Sequence, residues 1–530
     1  MTPTLIIEGA RVLTMDSAGT VLPRATVTIA GDVIVAVEVE VEAAGKAAPV
    51  GAIATAPTHA AGGAHAPAAA GISGVRRIDG SGHLLMPGLV NAHFHSSANH
   101  MKGSLDSLPL EIFMLFETPT DGLRADTRSA YVFTLLGAIE MLKSGVTCVL
   151  DDAFFVPAPS APAIDAIMQA YEHCGIRATL ALDQPNVPDI DKLPFLADLL
   201  PPELLARARA PAAMDAAGLL ECSRHLLERW HGKAGGRLRA AVSCSAPQRV
   251  TPAYFRALDA LSLAHGLPFF VHILETKVQR VLGEEKYGRS LVRHVAELGL
   301  LSDRMNVIHA IWVDEADMDL LAASGAVVAH NPISNLRLGS GLMPFRELMD
   351  RGIPICLGSD EAITDDAINL WNVAKFAGLI HNLRGGDYRQ WPKATEILEC
   401  LITGGARALR LPKPIGQVVA GHQADLILVD LDTLPFTPLN DLQRQLVYCE
   451  QGNSVRMTIV AGRVVCENGA VTGIDEVTLR AEARALAERR AAAQAAELDA
   501  AAGWLPHYHD MYMKAAARDV GMQRWMGPMP

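Results

Sequence analysis

The sequence contains no run of about 18 uninterrupted apolar residues, so it offers no candidate for a membrane-spanning helix. It is short of positive charge. Lys and Arg number 46 against 58 Asp and Glu, for a net charge of -12. That balance argues against a nucleic-acid partner or an anionic membrane surface. The first residues, Met1 to Glu8, lack a basic segment followed by an apolar one, so a secretory signal is not expected. The 8 cysteines are scattered without close pairs, which excludes a disulfide scaffold. Together these absences place the chain in the cytosol as an expectation. What is present is apolar content of 50% in 530 residues, enough for a large core and more than one folding unit.

The most informative phrase is Leu85-Met86-Pro87-Gly88-Leu89-Val90-Asn91-Ala92-His93-Phe94-His95. It reads as a buried strand, with Pro87 and Gly88 near its start where they are tolerated. Residues i and i+2 of a strand point to one side, so His93 and His95 aim two imidazoles at one point. A metal site needs such convergence.

The two ends of the chain share a style. Thr4 to Met15, Ala25 to Ala30 and Val33 to Val39 read as strands, as do Ala424 to Asp430 and Val455 to Val465. They predict a small β-sandwich domain built from both termini, residues 1–84 and 416–475. Residues 41–74 are mostly Ala, Gly and Pro and read as a low-complexity insertion; its His59 and His65 are not expected to bind metal. Between the two halves, residues 85–415, apolar strands alternate with helical stretches. The strands are Gly88–His95, Val146–Leu150, Ala178–Leu182, Leu238–Ser243, Pro268–Ile273, Met305–Ala310, Ala326–His330 and Ile353–Gly358. Thr127–Lys143, Pro252–His265 and Glu315–Ser324 read as helices. This alternation predicts an α/β protein with a (β/α)8 TIM barrel, with a doubly wound open sheet as the alternative. Residues 476–530 form a C-terminal helical tail, opening with a helix over Glu476–Ala502. Pro506 marks a break, and His507 and His509 lie in no strand pattern, so packing is expected of them.

Barrel active sites sit at the C-terminal ends of the strands. His93 and His95 lie there on the first strand, His272 on the fifth, His309 on the sixth and His330 on the seventh; Ser359-Asp360 follows the eighth. One lone buried histidine is ordinarily a hydrogen-bonded core residue. Five with an aspartate, all at strand ends, are a site.

At this point the chain resembles the amidohydrolase superfamily. Pro87 to His95 is similar to its first-strand motif. His272-Ile273-Leu274-Glu275-Thr276 resembles the fifth-strand motif of its deaminase branch. The segment His330 to Gly341, beginning His330-Asn331-Pro332, resembles that branch's seventh strand, and Gly358-Ser359-Asp360 its eighth. The nearest relatives in style are S-adenosylhomocysteine/methylthioadenosine deaminases, guanine-type deaminases and triazine hydrolases. The resemblance implies one divalent metal, zinc or alternatively ferrous iron, held by His93, His95, His272 and Asp360. It implies that Asp360 also accepts a proton from the metal's water, that His309 orients the resulting hydroxide, and that Glu275 shuttles a proton to the substrate. It gives His330 a contact with substrate or leaving group, and Gln248, in Cys244-Ser245-Ala246-Pro247-Gln248-Arg249, a substrate contact. It also implies a small-molecule substrate and a homo-oligomer.

Some superfamily members bridge two metals with a modified lysine on the fourth strand. Leu238 to Cys244 has no lysine, which favours one metal, and Cys244 is read as a buried thiol. Glu361 departs from the pattern of adenosine-type deaminases; it either binds a cationic or amino-bearing group or points to solvent. Three functions remain at this stage: hydrolytic deamination of an amino-substituted N-heterocycle, hydrolysis of another C–N, C–Cl, C–S or urea/amide bond, and a non-catalytic interaction homologue.

Overall fold

The computed structural model describes residues 2–40, 74–118 and 126–527. The insertion read at 41–74, with His59 and His65, lies outside the described residues except for Gly74. None of the described helices is long and apolar enough to cross a membrane.

Parallel strands alternating with helices form the body of the molecule, a TIM-barrel-like α/β fold. The strands fall into two arcs. One contains Leu89–His95, Val146–Phe154, Arg177–Asp183 and Leu238–Ala240; the other contains Val242–Ser243, Phe269–Ile273, Met305–His309, Val327–His330 and Ile355–Leu357. The fourth strand is divided at Ala241, each half serving one arc. The eighth is divided too: Ile355–Leu357 pairs with the seventh strand, while Asp360–Glu361 pairs with Phe94 and His95 of the first. The ladder is therefore interrupted at two places and does not run as one closed ring. The helices around the arcs begin where the sequence supplies caps. Asp126, Thr251 and Asp314 each accept a hydrogen bond from a backbone N–H of the first turn of Thr127–Lys143, Pro252–His265 and Glu315–Ser324.

The terminal strands differ from the expected sandwich: they form a single nine-stranded sheet. The reason is a strand inside the phrase that reads as one strand from Leu85 onward. His83–Pro87 pairs parallel with Leu5–Leu13 and antiparallel with Leu426–Asp430, and so stitches the two halves together. The chain then crosses to the barrel at Gly88, where a Cβ would lie 2.1 Å from the Thr147 side chain. Val455–Val465 likewise divides, into Val455–Val460 and Arg463–Glu467. The expected break falls just before Pro506, at Gly503-Trp504, and Pro506 sits in the first turn of the next helix, Leu505–Ala516, where the N–H that proline lacks would go unused.

A buried ion pair joins barrel and sheet. Arg177, at the start of the third barrel strand, donates to both carboxylate oxygens of Asp425 at 2.6 and 3.0 Å, and both side chains are 1% exposed. Asp425 also accepts from the Ala461 N–H, and Gln423 takes another guanidinium proton. Removing one partner strands the other charge in the core. Arg177→Met should lower unfolding stability by about 3–5 kcal/mol in urea titration, and pairing it with Asp425→Leu should recover much of the loss.

Candidate active site

Three parallel strands and the short eighth-strand segment bring the ligand-type side chains to one end of the arcs. His93 and His95 come from Leu89–His95, His272 from Phe269–Ile273, His309 from Met305–His309, and Asp360 from Asp360–Glu361. The backbone leaves extended geometry at that end. Ser245, Leu274, His309 and Asp360 have φ of 61°, 54°, 74° and 61°, a region costing non-glycine residues about 1–3 kcal/mol each. Such strain turns the side chains inward.

The side chains converge. His272 Nε2 lies 3.3 Å from His93 Nε2. Asp360 Oδ1 lies 3.4 Å from His93 Nε2 and 3.5 Å from His95 Nε2. His309 Nε2 faces Asp360 Oδ2 at 3.8 Å and Glu275 Oε2 at 3.5 Å. The far nitrogens are tied down. His272 Nδ1 donates to the Ser245 carbonyl at 2.9 Å, and His95 Nδ1 to the Asp152 carbonyl. His309 Nδ1 donates to Asn335 Oδ1 at 2.9 Å. An imidazole that donates through Nδ1 presents a bare lone pair at Nε2. Bare nitrogens facing one another in a dry site suit a shared cation. Ligand atoms of His93, His95 and His272 lie within 4.8 Å of one another, as do those of His93, His309 and Asp360. Three neutral imidazoles with a carboxylate fit a divalent ion such as zinc.

The electrostatics agree with neutral rings. Burial pushes the pKa of His93 down, that of His272 far down, and that of His309 to about 4. Burial alone would raise Asp360, but the imidazoles of His93, His309 and His95 hold its carboxyl well below the usual range. Glu275 behaves oppositely. Burial, then the Asp360 charge, pushes it well above its ordinary value. Glu361 is half-buried and turned from solvent toward Glu117; burial lifts Glu117 to about 7 and Glu361 further.

These groups open on a cavity of about 380 Å³. Leu110, Met114, Phe154, Phe155, Met214 and Leu338 give it apolar walls, while Asp183, Arg249, Glu275 and Glu361 supply polar ones. Gln248 lies instead in a side chamber of about 90 Å³, with Glu111 and Gln279. His330 is buried and lines neither space; its Nε2 lies 3.0 Å from Nε2 of His381. The seventh-strand segment reaches the site through Asn335, which holds His309. That residue stood in the quoted motif without a role. Glu117 and Asp183 carried no signal in the sequence. Cys244 is a buried free thiol, lifted well above its usual pKa by burial, and belongs to no group of metal-type side chains among the described residues. His507 and His509 belong to no group of metal-type side chains among the described residues.

Comparison with known proteins agrees with this geometry. Residues 84–465 match the family described as the amidohydrolase family, and the chain belongs to it. It is 30% identical over 480 residues to a 5-methylthioadenosine/S-adenosylhomocysteine deaminase of Nitratidesulfovibrio vulgaris, covering 91% of this chain and 96% of that one. It is 28% identical over 399 residues to a 5'-deoxyadenosine deaminase of Methanococcoides burtonii, covering 75% and 84%. Among solved structures, an adenosine deaminase from Xanthomonas campestris with bound zinc aligns at TM-score 0.75 and 26% identity, over 92% of this chain and 98% of that one. An atrazine chlorohydrolase from Arthrobacter aurescens, complexed with zinc, aligns at TM-score 0.77 and 23% identity over 91% and 100%, a likeness of fold alone. The chain is thus an amidohydrolase whose buried histidines and Asp360 form groups able to hold a metal ion.

Gly358 tests the packing behind the ligands. A Cβ there would lie 2.8 Å from both Cβ and N of His93 and 2.5 Å from Asn331 Oδ1. Gly358→Ala should displace His93 and weaken zinc binding at least about tenfold while the protein stays folded. Zinc titration with a chromophoric chelator, alongside circular dichroism, reads both.

Proposed function

We propose that this amidohydrolase is a hydrolytic deaminase of amino-substituted N-heterocycles, adenosine-like compounds foremost. The observation that carries the reading is Glu275: a buried carboxyl 3.5 Å from His309 Nε2, facing the same cavity as Asp360, with its pKa pushed up where that of Asp360 is held down. A ring nitrogen that must be protonated as water adds beside it needs such a donor. The relatives named as deaminases of adenosine derivatives support the same choice.

In this reading His93, His95, His272 and Asp360 hold one divalent metal, zinc or ferrous iron. Once bound, such an ion would supply the acidity that readies a water for attack near neutral pH. Asp360 accepts the proton that water gives up. His309, fixed by Asn335, orients the attacking oxygen through Nε2. Glu275 gives its proton to the ring nitrogen as the C–O bond forms. The proton taken up by Asp360 then passes to the amino nitrogen while Glu275 recovers a proton from the added hydroxyl, so the C–N bond breaks, ammonia leaves and the carbonyl forms. The apolar walls exclude water and stack against the heterocycle. Arg249, which lines both cavity and side chamber, contacts its substituents, while Gln248 acts through the side chamber and His330 from behind the wall. Two opposed environments, one ionising a carboxyl and the other neutralising one, divide base from acid.

The deciding experiment is release of ammonia from adenosine, 5'-deoxyadenosine, 5'-methylthioadenosine and S-adenosylhomocysteine, beside release of chloride from a chlorotriazine. Ammonia is expected. Chloride without ammonia would assign the site to the alternative hydrolysis, and no turnover of any compound by metal-loaded protein would favour an interaction homologue.

Metal analysis should find about one divalent ion per chain, and chelation should abolish turnover. Glu275→Gln should keep that ion and lose turnover by about 10²-fold or more. His309→Ala should also keep the ion and lose activity, whereas His272→Ala should lower the metal content itself. Metal content and rate are measured on the same samples. Normal turnover by Glu275→Gln would refute the shuttle.

A further inference from the structure

A proton shuttle must be held still, and Glu275 stands where neither strand nor helix holds it. The strand Phe269–Ile273 has ended, and the helix Lys277–Tyr287 has not begun. Leu274, between them, is left-handed with φ of 54°. The Glu275 N–H would lack a partner in this turn. It donates instead to Gln279 Oε1 at 3.0 Å, and both side chains are 3% exposed.

The arrangement is an altered capping box. In the ordinary form, the N3 side chain returns to the N–H of the N-cap residue. Here Thr276 is the N-cap, and its Oγ1 accepts from the Gln279 N–H at 3.2 Å. Gln279, at N3, reaches one residue further back, to Glu275. The box is itself anchored: the Thr276 hydroxyl donates to Glu111 Oε1 at 2.5 Å, on the helix Leu110–Glu117. Gln279 Nε2 has no protein partner, so the bond to Glu275 is the one that orients the amide.

We propose that Gln279 is a positioning residue for catalysis: through Oε1 it fixes the backbone of Glu275 and so aims that carboxyl at the reacting atoms. The proposal rests on the shuttle role given to Glu275 above. A misplacement of about 1 Å at a reacting group can cost on the order of 10²-fold in rate.

Two substitutions separate the acceptor from mere bulk. Gln279→Glu keeps an oxygen for the Glu275 N–H, and Gln279→Met keeps the size without it. Each is compared with wild type in metal-loaded full-length protein, using an adenosine derivative that releases ammonia. Gln279→Met should lose about tenfold or more in kcat with KM changed less than about threefold, while Gln279→Glu should stay within about threefold of wild type in both. Amide hydrogen exchange at Glu275 gives a readout free of turnover. It should speed up in the Met variant and stay slow in the Glu variant. Metal content and melting temperature identify a variant that has not folded, and Gln279→Ala then replaces Met. Unchanged exchange at Glu275 in the Met or Ala variant overturns the proposal, as does unchanged kcat. A loss of kcat that the Glu variant fails to rescue overturns it as well. If wild type releases no ammonia from any adenosine derivative, the deaminase reading fails separately, and the exchange measurement still decides whether Gln279 holds Glu275.

Discussion

The site depends on hydrogen bonds from imidazole Nδ1 atoms to fixed oxygens. His272 donates to the carbonyl of Ser245, His95 to that of Asp152, and His309 to the amide oxygen of Asn335. Each bond selects one tautomer and one ring plane, and leaves Nε2 bare on the inner side. Ring centroids 4.6 to 6.0 Å apart then crowd lone pairs into one small volume. Such crowding is tolerable in a dry interior because a cation can take it up. The two carbonyls belong to backbone at strand ends, so the orientation of the rings is a property of the fold.

The second constraint is the density of carboxyls around those rings. Asp360, Glu275, Glu361 and Glu117 share one wall region, and they cannot all ionise. Asp360 faces imidazoles and keeps its charge. Glu275 faces Asp360 and is pushed upward. Glu117 and Glu361 face each other and are both pushed upward. The division follows from what each group sees, with no difference in residue chemistry. It pushes two carboxyls of one cavity in opposite directions.

The frame that holds this wall is fastened from the opposite side. The Arg177–Asp425 pair ties the start of the third barrel strand to the terminal sheet, and His83–Pro87 joins the two halves of that sheet before the chain enters the first barrel strand. Leu89–His95 thus leaves a fixed platform. The positions of His93 and His95 are set partly by the sheet that precedes them.

Local signals settled much of this in the sequence. The helices Thr127–Lys143, Pro252–His265, Glu315–Ser324 and Glu476–Ala502 have the bounds their caps and apolar spacing implied, because a cap acts within one turn. The i, i+2 spacing of His93 and His95 put both on one side of a strand, because side chains alternate along it. The tertiary structure alone decided five other matters. It turned His330 toward His381 and gave Asn335 the task of holding His309. It set Glu117 against Glu361 and moved Gln248 into a side chamber. It joined the terminal strands into one sheet where a sandwich was expected. These depend on contacts between segments far apart in the chain. Periodicity and capping carry no information at that range, because it is the packing of whole elements that selects which side chains meet.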